Sequence, residues 1–198
     1  IMEAASRVPV SIVTGRESRD LMHYAHELGL TQPQVCDNGA LVLDPVSGQE
    51  IWSSPLGSQS SKKILMRLRN LGVTFIATRL QETVSRYEGI DNWNFIRISA
   101  LNLGSAAASA LSAEYDDVTE IDAVTAYLPY NGLWAVDFTR GGINKAAGVT
   151  HLARLLSLCP EQIVAVGDSY NDLPMLECCG LAVAMGDGPE EIKNIANF

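Results

Sequence analysis

The stretch Val164-Ala165-Val166-Gly167-Asp168-Ser169-Tyr170-Asn171-Asp172 decides how the rest of the chain is read. Its apolar half has strand character, and Gly167 ends the run. Two carboxylates and an amide then follow within one tight loop. Like charges this close repel and lose hydration unless a cation holds them, and oxygen donors of this kind suit Mg2+. Asp168 and Asp172 also have a plainer reading as helix N-caps, where Asp is favoured. Two carboxylates with Asn171 are more than a cap requires.

Working outward, the flanking segments repeat a strand and helix alternation. A helix is expected from Asn144 through Leu156 before the stretch, and another from about Asn171 to Glu177 after it. The short strand Leu181-Ala182-Val183-Ala184 and a last helix near Pro189 complete that end. At the other end, residues 1–7 read as the last turns of a helix and Val8-Pro9-Val10-Ser11-Ile12-Val13 as a strand. Thr14-Gly15-Arg16 is its loop, and residues 20–28 form a helix stopped by Gly29. Gln34-Val35-Cys36, the turn Asp37-Asn38-Gly39 and residues 40–43 follow, with a hairpin returning over residues 49–52. Such alternation predicts one parallel α/β sheet. Residues 55–60 turn to Ser, Gly and Pro, and an α+β module follows: a basic amphipathic helix at 62–70, strands at 73–78, 95–99, 124–127 and 134–138, and a small-residue helix at 106–114. The expected organisation is a core at 1–54, an insert at 55–139 and the core resumed at 140–198.

Composition narrows the function classes. A formal net charge of −9 leaves no basic stripe to displace counterions from nucleic-acid phosphates, so a small-molecule substrate is expected. Cys36, Cys159, Cys178 and Cys179 show neither zinc spacing nor a disulfide framework, which fits a reducing, cytoplasmic setting. Apolar runs are broken well before the roughly 20 residues a bilayer requires, so no membrane partner is expected. Monomer and homodimer both remain open.

In a parallel sheet the ligand crevice lies at the carboxyl ends of the strands. Thr14-Gly15-Arg16, Lys145 and the loop at 167–172 all belong to such loops or to an adjacent helix start. A hydroxyl, backbone N–H groups, an ammonium and a carboxylate-held cation are the parts that neutralise a transferring phosphoryl group. Thr14 has a rival reading as a helix cap, Lys145 as a solvated helix residue and Arg16 as half of a structural ion pair. His23, His26 and His151 have no partner at ligand spacing, and Trp52, Trp93 and Trp134 read as packing residues. Arg79, Arg86, Tyr87, Arg97 and Arg140 lie in the insert, where scattered charges are ordinarily solvated.

Taken in order, these motifs resemble the haloacid dehalogenase (HAD) superfamily of phosphatases, in its Cof-type branch with sucrose-phosphatase-like and phosphoglycolate-phosphatase-like members. The resemblance implies a Rossmann-like core with an α+β cap inserted in it. Ser11-Ile12-Val13-Thr14-Gly15-Arg16 is similar to the second motif, whose Thr binds phosphate, with Gly15 and Arg16 beside it. Asn38-Gly39-Ala40 resembles the Asn-Gly turn of this branch, making Asn38 a substrate-side candidate. Lys145 matches the third motif, which holds phosphate and nucleophile. Asp168 and Asp172 match the fourth, Asp168 ligating Mg2+ and Asp172 ligating it through water or orienting its shell, while Asn171 places phosphate or substrate.

One element of the pattern is missing: no Asp-x-Asp occurs anywhere in the sequence. In the family the first Asp of that pair is the nucleophile and the second the general acid/base. The expectation is a Mg2+-dependent phosphatase of a small sugar phosphate or phosphorylated organic acid, working through an aspartyl-phosphate whose Asp lies in a segment outside this sequence. A phosphotransferase or mutase on the same scaffold, and a non-catalytic phosphate-binding protein, are the alternatives.

Overall fold

A computed structural model describes residues 1–80 and 82–198. Contacts divide the chain into Ile1–Trp52 with Asn144–Phe198, and Ser53–Ile143.

The first unit begins with a short helix α1 (Met2–Ala5) and continues through α2 (Ser18–Glu27), β1 (Gln34–Cys36), β2 (Leu41–Leu43) and β3 (Glu50–Ser53). β1, β2 and β3 form one sheet in that order, with β1 and β2 antiparallel. The strand expected at residues 8–13 is a correction. Among the described residues it makes a single parallel bridge, Val13 to Val35, through Val35 N–H to Ile12 O and Thr14 N–H to Val35 O. A ladder grows only where a partner runs alongside, and β1 is three residues long.

The second unit opens with α3 (Ser58–Leu71), which starts inside the stretch expected to be a linker and is ended by Gly72 at φ 67°. β4 (Thr74–Arg79), β5 (Glu82–Val84), β6 (Arg97–Leu103), α4 (Ser105–Ala113), β7 (Ile121–Leu128) and β8 (Leu133–Arg140) follow. The sheet order is β5-β4-β6-β8-β7, antiparallel throughout. β5, with its polar Glu-Thr start, was not anticipated from the sequence. Ile64, Leu65 and Leu68 of α3 and Ala108 and Leu111 of α4 pack with Phe75, Ile98, Val136 and Phe138 into the unit's core. Side chains alternate along a strand, so Ser99 and Asp137, which face each other in register, lie on the opposite side from the neighbouring Ile98 and Phe138 pair. There the buried Arg97 reaches Asp137 at 3.2 Å, and Ser99 bonds to both.

The chain returns to the first unit with α5 (Lys145–Leu155), β9 (Val164–Gly167), α6 (Leu173–Cys178), β10 (Leu181–Ala184) and α7 (Glu190–Ile195). The Asn144 side chain caps α5 by accepting from Ala147 N–H at 3.1 Å. β9 and β10 are parallel, and Asn197 and Phe198 bond along the outer edge of β10. In place of one continuous parallel sheet, the described residues form the parallel pair β9-β10 and a separate sheet β1-β2-β3 in which β1 and β2 are antiparallel. Ala165 packs with Val149, Met175, Leu176 and Ile192, while Val164 and Val166 on the other face are 58% and 55% exposed. Among the described residues no helix is long and apolar enough to cross a membrane.

Candidate active site

Three segments of the first unit meet at the end of β9. Gly167 permits the meeting: a Cβ there would lie 2.7 Å from the Cβ of Asp172, so any larger residue would push that side chain away. With glycine, Asp172 folds back beneath the loop. Its Oδ2 accepts from Asp168 N–H and Ser169 N–H, both at 3.0 Å, and from the Ser169 hydroxyl at 3.2 Å. Its Oδ1 receives Lys145 Nζ at 2.5 Å. Lys145 is the first residue of α5, so the Asn144 cap that starts the helix also fixes where the ammonium points. Lys145 is 6% exposed and Asp172 3%.

A buried ion pair holds only when the remaining lone pairs are also occupied, and here the loop amides occupy them. Burial opposes ionisation of Asp172, but Lys145 and the amide donors outweigh it and hold the carboxyl below the usual carboxylate range. The unfolded chain therefore takes up this proton before the folded one does. The stabilisation is complete above the ordinary carboxylate value near 4 and is lost as the pH falls through the lower folded value. Urea titrations at stepwise lower pH should show unfolding free energy falling below about pH 4, with a shallower fall in Asp172→Asn. An unchanged slope in that variant would remove Asp172 as a source of acid sensitivity.

Asp168 differs from Asp172. It is exposed, and among the described residues nothing pairs with its carboxylate. No group of three or more His, Cys, Asp or Glu side chains among the described residues is placed to hold a metal ion. Thr14 and Asn38 belong to two neighbouring loops of the same unit. Thr14 Oγ1 accepts from Arg16 N–H at 3.1 Å, and Asn38 N–H donates to Thr14 O at 3.1 Å. Asn171 Nδ2 donates to Asn38 Oδ1 at 3.2 Å. Gly15 sits against both: a Cβ there would be 2.7 Å from Asn38 Oδ1 and 3.5 Å from Asn171 Nδ2.

Of the residues singled out in the sequence, Thr14, Gly15, Asn38 and Asn171 thus form one cluster, and Lys145, Asp168 and Asp172 surround the end of β9. The Arg16 guanidinium is turned elsewhere, toward the helix that follows it, pairing with Asp20 at 3.0 Å and lying 6.0 Å from the Tyr24 ring centroid. Sequence reasoning passed over Ser169, whose hydroxyl reaches Asn171 Oδ1 at 2.5 Å as well as Asp172. The signal was present in the Ser-x-x-Asp spacing of a helix start. It also passed over the fully buried Asp37, whose N–H donates to Arg16 O at 3.0 Å. His151 stacks on Trp52 with centroids 4.1 Å apart, His26 bonds Pro45 O, and His23 lies 3.8 Å from Glu27, all away from this crevice. Burial pushes the Cys178 thiol up and the Cys179 thiol up to about 12, so neither is an activated nucleophile.

A profile of haloacid dehalogenase-like hydrolases matches residues 4–198. The chain belongs to this family. A 5-amino-6-(5-phospho-D-ribitylamino)uracil phosphatase of Bacillus subtilis, YitU, is 31% identical over 210 residues, covering 95% of this chain and 77% of that protein. The pyridoxal phosphate phosphatase YbhA of Escherichia coli is 24% identical over 213 residues, covering 94% and 78%. The solved structure of a haloacid dehalogenase-like hydrolase from B. subtilis superposes with a TM-score of 0.86 at 20% identity, over 99% of this chain and 84% of that one. As a haloacid dehalogenase-like hydrolase the protein has an α/β, Rossmann-like fold and is a phosphoric monoester hydrolase.

Proposed function

We propose that this hydrolase is a Mg2+-dependent phosphatase of small phosphomonoesters, sugar phosphates or phosphorylated organic acids, acting through an aspartyl-phosphate. The observation that carries the reading is the pairing of Lys145 with Asp172 beside a carboxylate, Asp168, that has no partner among the described residues. The names of the two relatives matched over 95% and 94% of this chain, one a 5-amino-6-(5-phospho-D-ribitylamino)uracil phosphatase and the other a pyridoxal phosphate phosphatase, support the substrate class.

The donor set fits Mg2+, which binds through one or two carboxylates together with substrate phosphate and keeps several waters. Asp168 would hold the ion directly, and Asp172, with both oxygens engaged, would act through water or by orienting the loop. Bound there, the ion supplies Lewis-acid stabilisation of charge on the phosphoryl oxygens. Thr14 accepts from Arg16 N–H, which leaves its own O–H to donate to a phosphate oxygen. Gly15 gives the phosphate close access to the backbone, and Arg16 acts through the N–H that orients Thr14. Lys145 brings a fixed positive charge whose position needs no rearrangement during reaction. Asn171 and Asn38 line the same side. The attacking carboxylate, in this reading, comes from outside residues 1–198.

Removing the metal tests this directly. Dialysis against EDTA is expected to abolish phosphate release from p-nitrophenyl phosphate and from a panel of sugar phosphates, and Mg2+ is expected to restore it. Undiminished hydrolysis in EDTA would overturn the metal role. Transfer to an added sugar in place of water would reassign the reaction to a phosphotransferase.

A further inference from the structure

We propose that Asn38 is a positioning residue: it clamps the loop at residues 14–16 to the loop at residues 168–172, keeping the phosphate-binding side of the crevice in register with its metal-binding side. This rests on the phosphate-site reading above. The backbone shows the clamp first. Asp37 and Asn38 lie at φ 50° and 55°, in the left-handed region that side-chain-bearing residues rarely adopt. In that conformation Asp37 N–H donates to Arg16 O at 3.0 Å and Asn38 N–H to Thr14 O at 3.1 Å. The first loop is thereby fastened to the turn by main-chain bonds on either side of Gly15.

The side chain fastens the second loop. Asn38 is 8% exposed, and its Oδ1 accepts from Asn171 Nδ2 at 3.2 Å. Asn171 is held in turn by the Ser169 hydroxyl on its Oδ1 at 2.5 Å, so its amide has a fixed orientation. Gly15 is part of the device, because a methyl at that position would stand 2.7 Å from Asn38 Oδ1. Glycine at 38 would take this backbone conformation more easily than asparagine. What asparagine adds is the carboxamide oxygen between the two loops.

The test compares Asn38→Gly, Asn171→Ala and the double variant of the full chain. Four readouts are taken: melting temperature, the Asn171 side-chain amide resonances, and kcat and KM on p-nitrophenyl phosphate. Asn38→Gly is expected to keep or raise the melting temperature, to shift the Asn171 amide resonances, and to lower kcat about tenfold or more with KM little changed, as a misplaced group does. The double variant is expected to be no worse than the poorer single, because both break one contact. Gly15→Ala, which spreads the clamp from the other side, is expected to reproduce the loss in kcat. Losses that multiply in the double variant, or a change confined to KM, would make Asn38 an independent substrate contact and overturn the proposal. So would unmoved Asn171 resonances, or a drop in melting temperature large enough to explain the lost activity. A wild-type protein that includes the attacking carboxylate and still shows no phosphatase activity overturns the proposed function and the catalytic role of the clamp together; shifted Asn171 resonances in that case identify the function reading as the part that failed.

Discussion

Asp168→Ala is expected to abolish Mg2+-dependent hydrolysis of p-nitrophenyl phosphate while leaving the fold intact. The two halves of this expectation have separate causes. The Asp168 carboxylate is exposed and makes no hydrogen bond or ion pair among the described residues, so its removal costs the folded state little. Surface changes of this kind fall within about 0.5 kcal/mol. Its backbone N–H, which holds Asp172, survives the substitution. Catalysis is different, because a metal ion at a phosphoryl group contributes several kcal/mol and each 1.36 kcal/mol is tenfold in rate. A loss of about 10³-fold or more is therefore expected, with an unchanged melting temperature and a weakened dependence on Mg2+. Full activity in Asp168→Ala would remove the metal from this position. A large drop in melting temperature would instead make Asp168 a structural residue.

Lys145→Met is expected to fail on both counts. The ammonium is the counter-charge of a carboxylate that is 3% exposed, and removing it leaves Asp172 buried and unpaired apart from its amide donors. Breaking one side of such a pair costs about 3–5 kcal/mol. It also removes one preorganised positive charge from the proposed phosphate site, a loss of about 10²–10³ in kcat. The double variant Lys145→Met, Asp172→Asn separates the effects. An asparagine oxygen still accepts from the amides of Asp168 and Ser169 and carries no charge to strand, so much of the stability should return while activity stays low. Denaturant unfolding and kcat measured on the same three proteins decide it. A Lys145→Met protein with wild-type stability and wild-type kcat/KM would exclude Lys145 from both roles.

The two predictions differ because two aspartates four residues apart have opposite surroundings, which residue type and hydrophobic pattern do not reveal. Asp168 and Asp172 share one loop and one residue type. Gly167 was legible as the end of a strand, yet its closeness to the Asp172 side chain, which lets that carboxylate fold inward toward Lys145, appears only when residues 145 and 172 are brought together. Arg16 shows the same limit from the other direction. Its place beside Thr14 recommended it, but Asp20 one helical turn away has taken its guanidinium.

Hydrophobic periodicity, turn residues and motif order are local properties, so the sequence by itself determined the α/β class, the inserted α+β module and most helices and strands. It also singled out the loops proposed to carry the phosphate and metal chemistry, since those residues stand at strand ends that the pattern marks. Long-range pairing was left to the tertiary structure, because whether Val8 to Val13 forms a strand depends on what lies beside it rather than on its own β-branched content. The structure likewise decided what each polar group of the crevice faces. Asn38 meets Asn171 across 133 positions of chain, and a hydrogen bond of that span exists only once the fold has brought the two loops to one place.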